Sequence, residues 1–328
     1  MRQLLLIFFA LICTYQLYSQ DSTDNNLFDP SLFEDASDAK KFCTQKVLNQ
    51  TPSKLVSIGY EYNFKFQNKN VEGVTKIDQM SGVRTFLNIL AISTNKLILN
   101  VGASYWGSKI KTKEAVGQTT MNQIYSNRMD IEGLNLLLFK PLNQKHFFIV
   151  QANADASYIS TDNNWQLTKP ATTFYGSALF GWKKGDYRML ALGVSRTYRL
   201  GRPLIVPILL YNQTFDDHWG IESLLPARAH LRYNVSANTL LLAGYELEGQ
   251  QFDLANSKNF LQRGEIKPRL VVEKKIKGFF WLSAQLGYRI NGRFNLTNRY
   301  DAQEKDEVFT NQWGGSPYFN LSVNFVSP

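Results

Sequence analysis

Apolar and polar residues alternate one by one through most of this chain. Over Leu55 to Gln67, one face holds Val56, Ile58, Tyr60, Tyr62, Phe64 and Phe66, and the other Ser57, Gly59, Glu61, Asn63, Lys65 and Gln67. Successive side chains of a strand point to opposite faces, so a period of two predicts a β-strand with two unlike sides. The same split sets Phe280, Leu282, Ala284, Leu286, Tyr288 and Ile290 against Ser283, Gln285, Gly287, Arg289, Asn291 and Arg293. It returns with Ala227 to Val235 against Arg228, His230, Arg232 and Asn234, and with Phe148 to Tyr158 against Gln151, Asn153, Asp155 and Ser157, where Ile159 breaks the polar face. Weaker copies lie at 82–92, 96–106, 128–140, 172–183, 187–199, 203–213, 217–225, 239–249 and 264–276. A last strand sets Phe319, Leu321, Val323 and Phe325 against Asn320, Ser322 and Asn324.

These segments predict an all-β chain: a single transmembrane antiparallel up-and-down β-barrel of 12 to 14 strands over residues 54–328. Tight turns at 94–95, 142–145, 183–186, 236–238 and 277–278 alternate with longer polar connections at 107–125, 160–171, 250–262 and 294–315. In an outer-membrane barrel the short turns are periplasmic and the long loops external. A soluble β-sandwich would alternate too, with its bulky face as the core. Here the polar face is small and crowded (Ser57, Gly59, Gly102, Ser104, Ser283, Gly287), which fits a barrel interior. Aromatics gather near segment ends, as interfacial girdles require. After residue 20 the longest apolar run, Pro203 to Tyr211, is nine residues with two prolines, too short for a spanning helix.

Composition narrows the chemistry. With 44% hydrophobic and 19% charged residues the chain folds, and Phe 22, Tyr 16 and Trp 6 lean to β-structure. Cys 2 and His 3 exclude a Cys-ligated zinc domain, and neither a metal nor a cofactor is expected. Arg2, the apolar Leu4 to Cys13 and Ser19 read as a signal peptide over 1–19. Residues 20–53 then form an acidic periplasmic lead-in, mostly irregular, with a short helix possible near Leu32 to Lys41; 21–39 carry six acids and no base. The net charge is +9, so the remainder is strongly basic and suits an anionic neighbour. For an exported chain that neighbour is outer-membrane lipid and lipopolysaccharide; no nucleic-acid motif is present.

Few residues offer chemistry. His146 follows Lys145 in a tight turn, and Asp216-Asp217-His218-Trp219 reads as a hydrated hairpin turn. His230 shares the inward face with Arg228 and Arg232, and the next strands turn Glu246, Glu265, Lys267, Arg269 and Glu273 the same way. Charges of both signs on one face predict a lumen charge network that braces a filled interior or lines a narrow pore. No catalytic residue is assigned.

The Tyr18-Ser19-Gln20 signal end, the Asn- and Tyr-rich strands and the terminal Tyr318 to Phe325 resemble outer-membrane β-barrel proteins of the Bacteroidetes group that carry no assigned activity. That resemblance covers 54–328 and implies a barrel in the outer membrane. It also implies that the barrel assembly machinery reads Phe325 as its signal, although Phe325 is not the last residue. The expected role is non-enzymatic: structural, surface-interacting or a narrow channel. The alternatives are an enzyme acting on lipid or surface polymer, and a transporter of a hydrophobic solute with 21–53 as a partial plug. Apolar lumen positions would favour the transporter. No solute is named by the residues.

Overall fold

The computed structural model describes residues 42–71, 73–113, 119–160, 171–254, 257–302 and 306–327. The expected signal peptide, the first part of the lead-in and several external loop segments lie outside the described residues.

In chain order the elements are β1 (Lys54–Asn63), β2 (Phe66–Asn70), β3 (Gly73–Ile77), β4 (Gln79–Thr94), β5 (Leu97–Lys111), α1 (Thr119–Ser126), β6 (Arg128–Pro141) and β7 (His146–Ser160). There follow β8 (Ala171–Lys184), β9 (Arg188–Thr197), β10 (Leu204–Thr214), β11 (Trp219–Leu225), β12 (Arg228–Ser236) and β13 (Thr239–Leu254). Last come β14 (Phe260–Lys277), β15 (Phe280–Thr297), β16 (Glu307–Phe309), β17 (Gln312–Trp313) and β18 (Ser316–Val326). Setting aside the short β2, β3, β16 and β17, fourteen antiparallel strands pair neighbour to neighbour, and β1 pairs with both β4 and β18, so the sheet closes on itself. Closure leaves no exposed strand edge, the condition for a sheet to span a membrane.

The alternation decides which face is which. Ser57 and Glu61 are buried while Ile58 is 60% exposed; on β15 Ser283 is fully buried while Leu286 is 61% exposed. The bulky apolar face therefore points out and the polar face in, the reverse of a soluble barrel. The tight turns expected from the sequence stand at one end, as at Gly278, whose φ of 55° suits the short link from β14 to β15, while one further two-residue turn, Pro226–Ala227, joins β11 to β12 at the other end. Both described chain ends stand there too, with Lys54 opposite Val326.

The structure differs from the sequence pattern at the other end, where β13 also runs to Leu254 and β14 starts at Phe260, inside the expected loop 250–262, and β15 runs to Thr297 with β16 and β17 beyond it, inside the expected loop 294–315. The first strand stops at Asn63, short of Gln67, because 66–77 turn back as the β2–β3 hairpin and bury Phe66 and Ile77. The expected loop 107–125 starts later, since β5 continues to Lys111 and α1 occupies part of the remainder. Here the barrel is roofed: β13 outlasts β12, whose last partner is Arg228 opposite Glu246, and then crosses to pair parallel with β7 (Asp253 with Tyr158, Leu254 with Ile159). Gly249 and Gly264 make this possible, because a Cβ on either would lie 2.5 Å from backbone of Arg199 or Leu200 in the β9–β10 loop. Under the roof Phe66, Trp106, Tyr125, Phe252, Phe294 and Trp313 form an apolar cap that also buries Ile159. The break in the polar face of β7 thus marks the height at which the lumen turns apolar.

Candidate functional site

The lumen has three layers, and the charged one lies between two apolar plugs. Its carboxylates come from β1 (Glu61), β13 (Glu246, Glu248) and β14 (Glu265), each at an inward position of its strand. Lys267 on β14 lies 2.8 Å from Glu61, 2.8 Å from Glu248 and 3.8 Å from Glu265. Arg84 on β4 reaches Glu248 at 2.7 Å and Glu61 at 3.4 Å. Arg263 and Arg289 hold Glu265 at 2.6 and 3.3 Å. Lys267, Glu265 and Arg289 have no solvent exposure. Such charges are tolerable in a low-dielectric interior only when mutually paired. The seam with the cap is bridged by stacking: the Arg289 guanidinium lies 4.1 Å from the Phe66 ring centre and that of Arg263 4.5 Å from Trp106.

Toward the tight-turn end, Arg269 pairs with Glu246 at 2.5 Å, and its Nε lies 3.3 Å from Nε2 of His230. The nearest cation to His230 is thus Arg269, from a different strand, and not its sequence neighbours Arg228 and Arg232. Glu273 pairs with Lys54 at 2.6 Å. Arg232, fully buried, stands apart from Glu246 and pairs instead with Glu222 at 2.9 Å while donating to Thr214 Oγ1 at 2.8 Å. The eight residues singled out in the sequence therefore divide among four sets of partners rather than one: Lys267 with Glu265; Arg269 with Glu246 and His230; Arg232 with Glu222; and Glu273 with Lys54; Arg228, Glu246, Lys267 and Arg269 border one cavity. Sequence reasoning missed Glu61, Arg84, Glu248, Arg263, Arg289 and Glu222. Glu61 and Arg289 already stood on polar faces, and that was their only signal.

The second plug lies at the tight-turn end and uses the lead-in. Val47 and Cys43 pack with Phe139, Phe147, Leu179 and Met189. The Leu48 N–H donates to the Asp186 carbonyl, the Thr51 N–H and hydroxyl donate to Glu222 at 2.9 and 2.8 Å, and Lys183 donates to the Lys46 carbonyl at 2.6 Å. Burial lowers the Lys46 ammonium to about 8, against the opposing pull of Glu222 and Glu273, and burial raises the Cys43 thiol. Thus the part of the lead-in within the described residues is anchored across the lumen mouth.

Between the plugs lie adjoining cavities. One of about 260 Å³ and one of about 250 Å³ share Arg84, Glu246 and Glu248. The second shares Tyr175, Thr197 and Arg199 with a smaller compartment of about 70 Å³ against Leu204, Val206, Ile208 and Leu224. The long apolar run at Pro203 to Tyr211 is explained here: β10 is apolar on both faces, its outward Ile205 79% exposed and its inward Leu204, Val206 and Ile208 forming the apolar side of a compartment whose other side carries Gln151, Asn153, Ser177 and Ser195.

The remaining singled-out groups are peripheral. His146 stacks on Phe180, and Asp216 accepts from the N–H groups of His218 and Trp219, which holds its carboxyl below the usual range. Phe325 faces out near the tight turns against Phe279 and Phe280, at ring distances of 5.8 and 5.5 Å. No cluster of three or more His, Cys, Asp or Glu side chains able to hold a metal occurs among the described residues.

Residues 93–326 match the family model described as a domain of unknown function, DUF6268. The chain belongs to that family. No curated protein matches it. In solved structures this DUF6268 barrel is similar to the COG4313 outer membrane channel from Pseudomonas putida F1, at 13% identity and a TM-score of 0.41, covering 85% of this chain and 97% of that one. It is also similar to a Pseudomonas aeruginosa FadL homologue, at 9% identity and a TM-score of 0.41, covering 83% and 89%. A deltaS2 mutant of the TodX monoaromatic hydrocarbon channel gives 10% identity and a TM-score of 0.39, covering 85% and 91%. The closure of the DUF6268 barrel stands on its own strand pairing, whatever these likenesses add.

Proposed function

We propose that the chain is an integral outer-membrane barrel that passes a small amphiphilic anion and rests in a closed state, without catalytic activity. The observation that carries this reading is the row of adjoining cavities, which places a largely apolar compartment beside a charged chamber between two occluded ends. In and around the chamber five carboxylates (Glu61, Glu246, Glu248, Glu265, Glu273) face eight cations (Lys54, Arg84, Arg199, Arg228, Arg263, Lys267, Arg269, Arg289), a positive surplus that favours an anionic head. The apolar compartment suits a short hydrophobic body. The outward apolar band, the tight-turn asymmetry and the likeness of the terminal strand to Bacteroidetes outer-membrane barrels support the compartment. His230 lies against a guanidinium instead of between a carboxylate and a hydroxyl, so it lacks the partners a general base needs.

The test is passage across a bilayer. Refolded wild-type barrel in planar membranes is expected to give no steady conductance, and deletion of 21–52 to give brief anion-selective openings. In proteoliposomes the fluorescent amphiphilic anion 8-anilinonaphthalene-1-sulfonate should enter faster than glucose. A steady unselective conductance in the wild type would make the protein an open porin, and no protein-dependent passage in either form would leave only a structural barrel.

A further inference from the structure

At the rim of the barrel, at the end remote from the tight turns, a groove of about 740 Å³ opens between the β-wall and α1, bordered by outward strand residues and by Ile110 and Tyr125 of the cap. Its lining includes Tyr62 of β1, Lys109 and Lys111 of β5, Lys65 and Lys113 beyond the strands, and Tyr125 of α1. Lys109 and Lys111 point outward, since they alternate with the buried Ser108 and Ile110. All four lysines are exposed, and none forms an ion pair among the described residues. One carboxylate, Asp78, also borders the groove. The contrast with the lumen, where Lys54 and Lys267 each meet a carboxylate within 3 Å, is direct.

The height of the groove identifies what fills it. Following the register outward across β1, β4 and β5, Val56 stands level with Leu87 and Ala103, Ile58 with Thr85 and Tyr105, and Tyr60 with Val83 and Gly107. The next level is Tyr62, Ser81 and Lys109. Along β1, β4 and β5 the apolar band ends there in an aromatic cluster, with Tyr62 5.1 Å from Phe64 and 5.5 Å from Phe319, and the ammonium groups begin at once; on the adjoining β6, outward Glu132 and Asp130 already stand level with Tyr105 and Gly107, Asp130 paired with Arg128. Aromatic rings sit at the headgroup level of a bilayer, so the lysines stand where lipid phosphates lie. Four like charges around one groove repel, and an anion with several oxygens relieves them through charge-assisted hydrogen bonds.

We propose that this groove binds the phosphorylated headgroup of an outer-leaflet glycolipid, its phosphate oxygens held by Lys65, Lys109, Lys111 and Lys113 and its acyl chains lying along Tyr60 and Val83. Asn122 and Ser126 of α1 supply polar partners for the sugar. This inference rests on the outer-membrane reading but not on transport.

The full mature chain, refolded in detergent micelles, is mixed with bisphosphorylated lipid A, with the same lipid dephosphorylated, or with inorganic phosphate, and bound molecules are counted by native mass spectrometry. The wild type should retain bisphosphorylated lipid A at least tenfold better than the dephosphorylated form, and K109Q/K111Q should lose about tenfold of that retention. K274Q/K277Q, near the β14–β15 turn, should behave as the wild type. Equal retention of the two lipids, or unaltered retention in K109Q/K111Q, would overturn the site. Displacement of lipid A by an equal concentration of inorganic phosphate would overturn the lipid source. Folding of each variant is read from the heat-modifiable band; if K109Q/K111Q fails to fold, K65Q/K113Q, outside the strands, carries the same comparison. A wild type that never yields the folded band in micelles or vesicles would instead overturn the outer-membrane reading.

Discussion

The lysines of the lumen and those of the outer rim belong to the same residue type and serve opposite ends. Lys267 is fully buried and meets three carboxylates within 4 Å; Lys109 and Lys111 are exposed and meet none among the described residues. A buried ammonium must find its counter-charges inside the protein, because water cannot reach it. A rim ammonium keeps its water and stays available to something outside. The folded barrel therefore depends on the first kind of lysine and is indifferent to the second.

The largest effect expected from this contrast comes from Lys267→Met. It leaves Glu61 and Glu248 facing one another with only Arg84 between them, and should lower stability by about 3 to 5 kcal/mol. The urea midpoint of the folded, heat-modifiable band measures it; an unmoved midpoint would mean that the chamber is filled with water and its charges screened. Next comes the outer wall. Leu286→Arg, mid-strand and outward, should cost about 2 to 4 kcal/mol in a bilayer, while Gln285→Arg, which borders the 260 Å³ cavity, should cost far less. Equal costs would mean that no bilayer surrounds the barrel.

Smaller effects concern the lead-in. Thr51→Val removes the hydroxyl that donates to Glu222 and leaves the buried Glu222–Arg232 pair in place, and should loosen this segment by about 0.5 to 1.5 kcal/mol. Faster proteinase K cleavage within 42–51, with the barrel itself intact, is the readout. The same segment should respond to pH. Lys46 sits at about 8 when docked, below the roughly 10.4 of a free lysine, so undocked chain holds more protons between those values and docking strengthens as pH rises. Above roughly pH 9 the raised thiol of Cys43 works in the opposite direction, since undocked chain loses that proton first. Protection from proteinase K should thus increase from pH 7 to 9 in the wild type and stay level in Lys46→Met. The smallest effect is at the rim: K109Q/K111Q should leave the urea midpoint where it was, and a clear fall would show that these lysines have an internal partner after all.

Much of the fold was legible because a strand repeats every two residues and a barrel wall needs no more than that. Each barrel strand overlaps a segment read as a strand from the sequence, although its ends at the roofed side differ, and the inward position of Arg232, Glu246 and Lys267 follows from parity alone. The same parity marked Ile159 as an oddity without saying what surrounds it.

Partnership was beyond the sequence. Lys267 meets Glu61 across 206 residues, and Thr51 meets Glu222 across 171, distances along the chain that no local period encodes. Which inward charges share a layer depends on strand stagger, and that is set by closure of all fourteen strands together. Closure also decided that β13 passes over the mouth to β7, turning Phe66, Trp106, Phe252 and Trp313 into a cap, and that both faces of β10 could be apolar. The sequence by itself determined which side of each strand faces in, because that is a property of two neighbouring residues; which inward residues touch is a property of the ring, and only the closed barrel decided it.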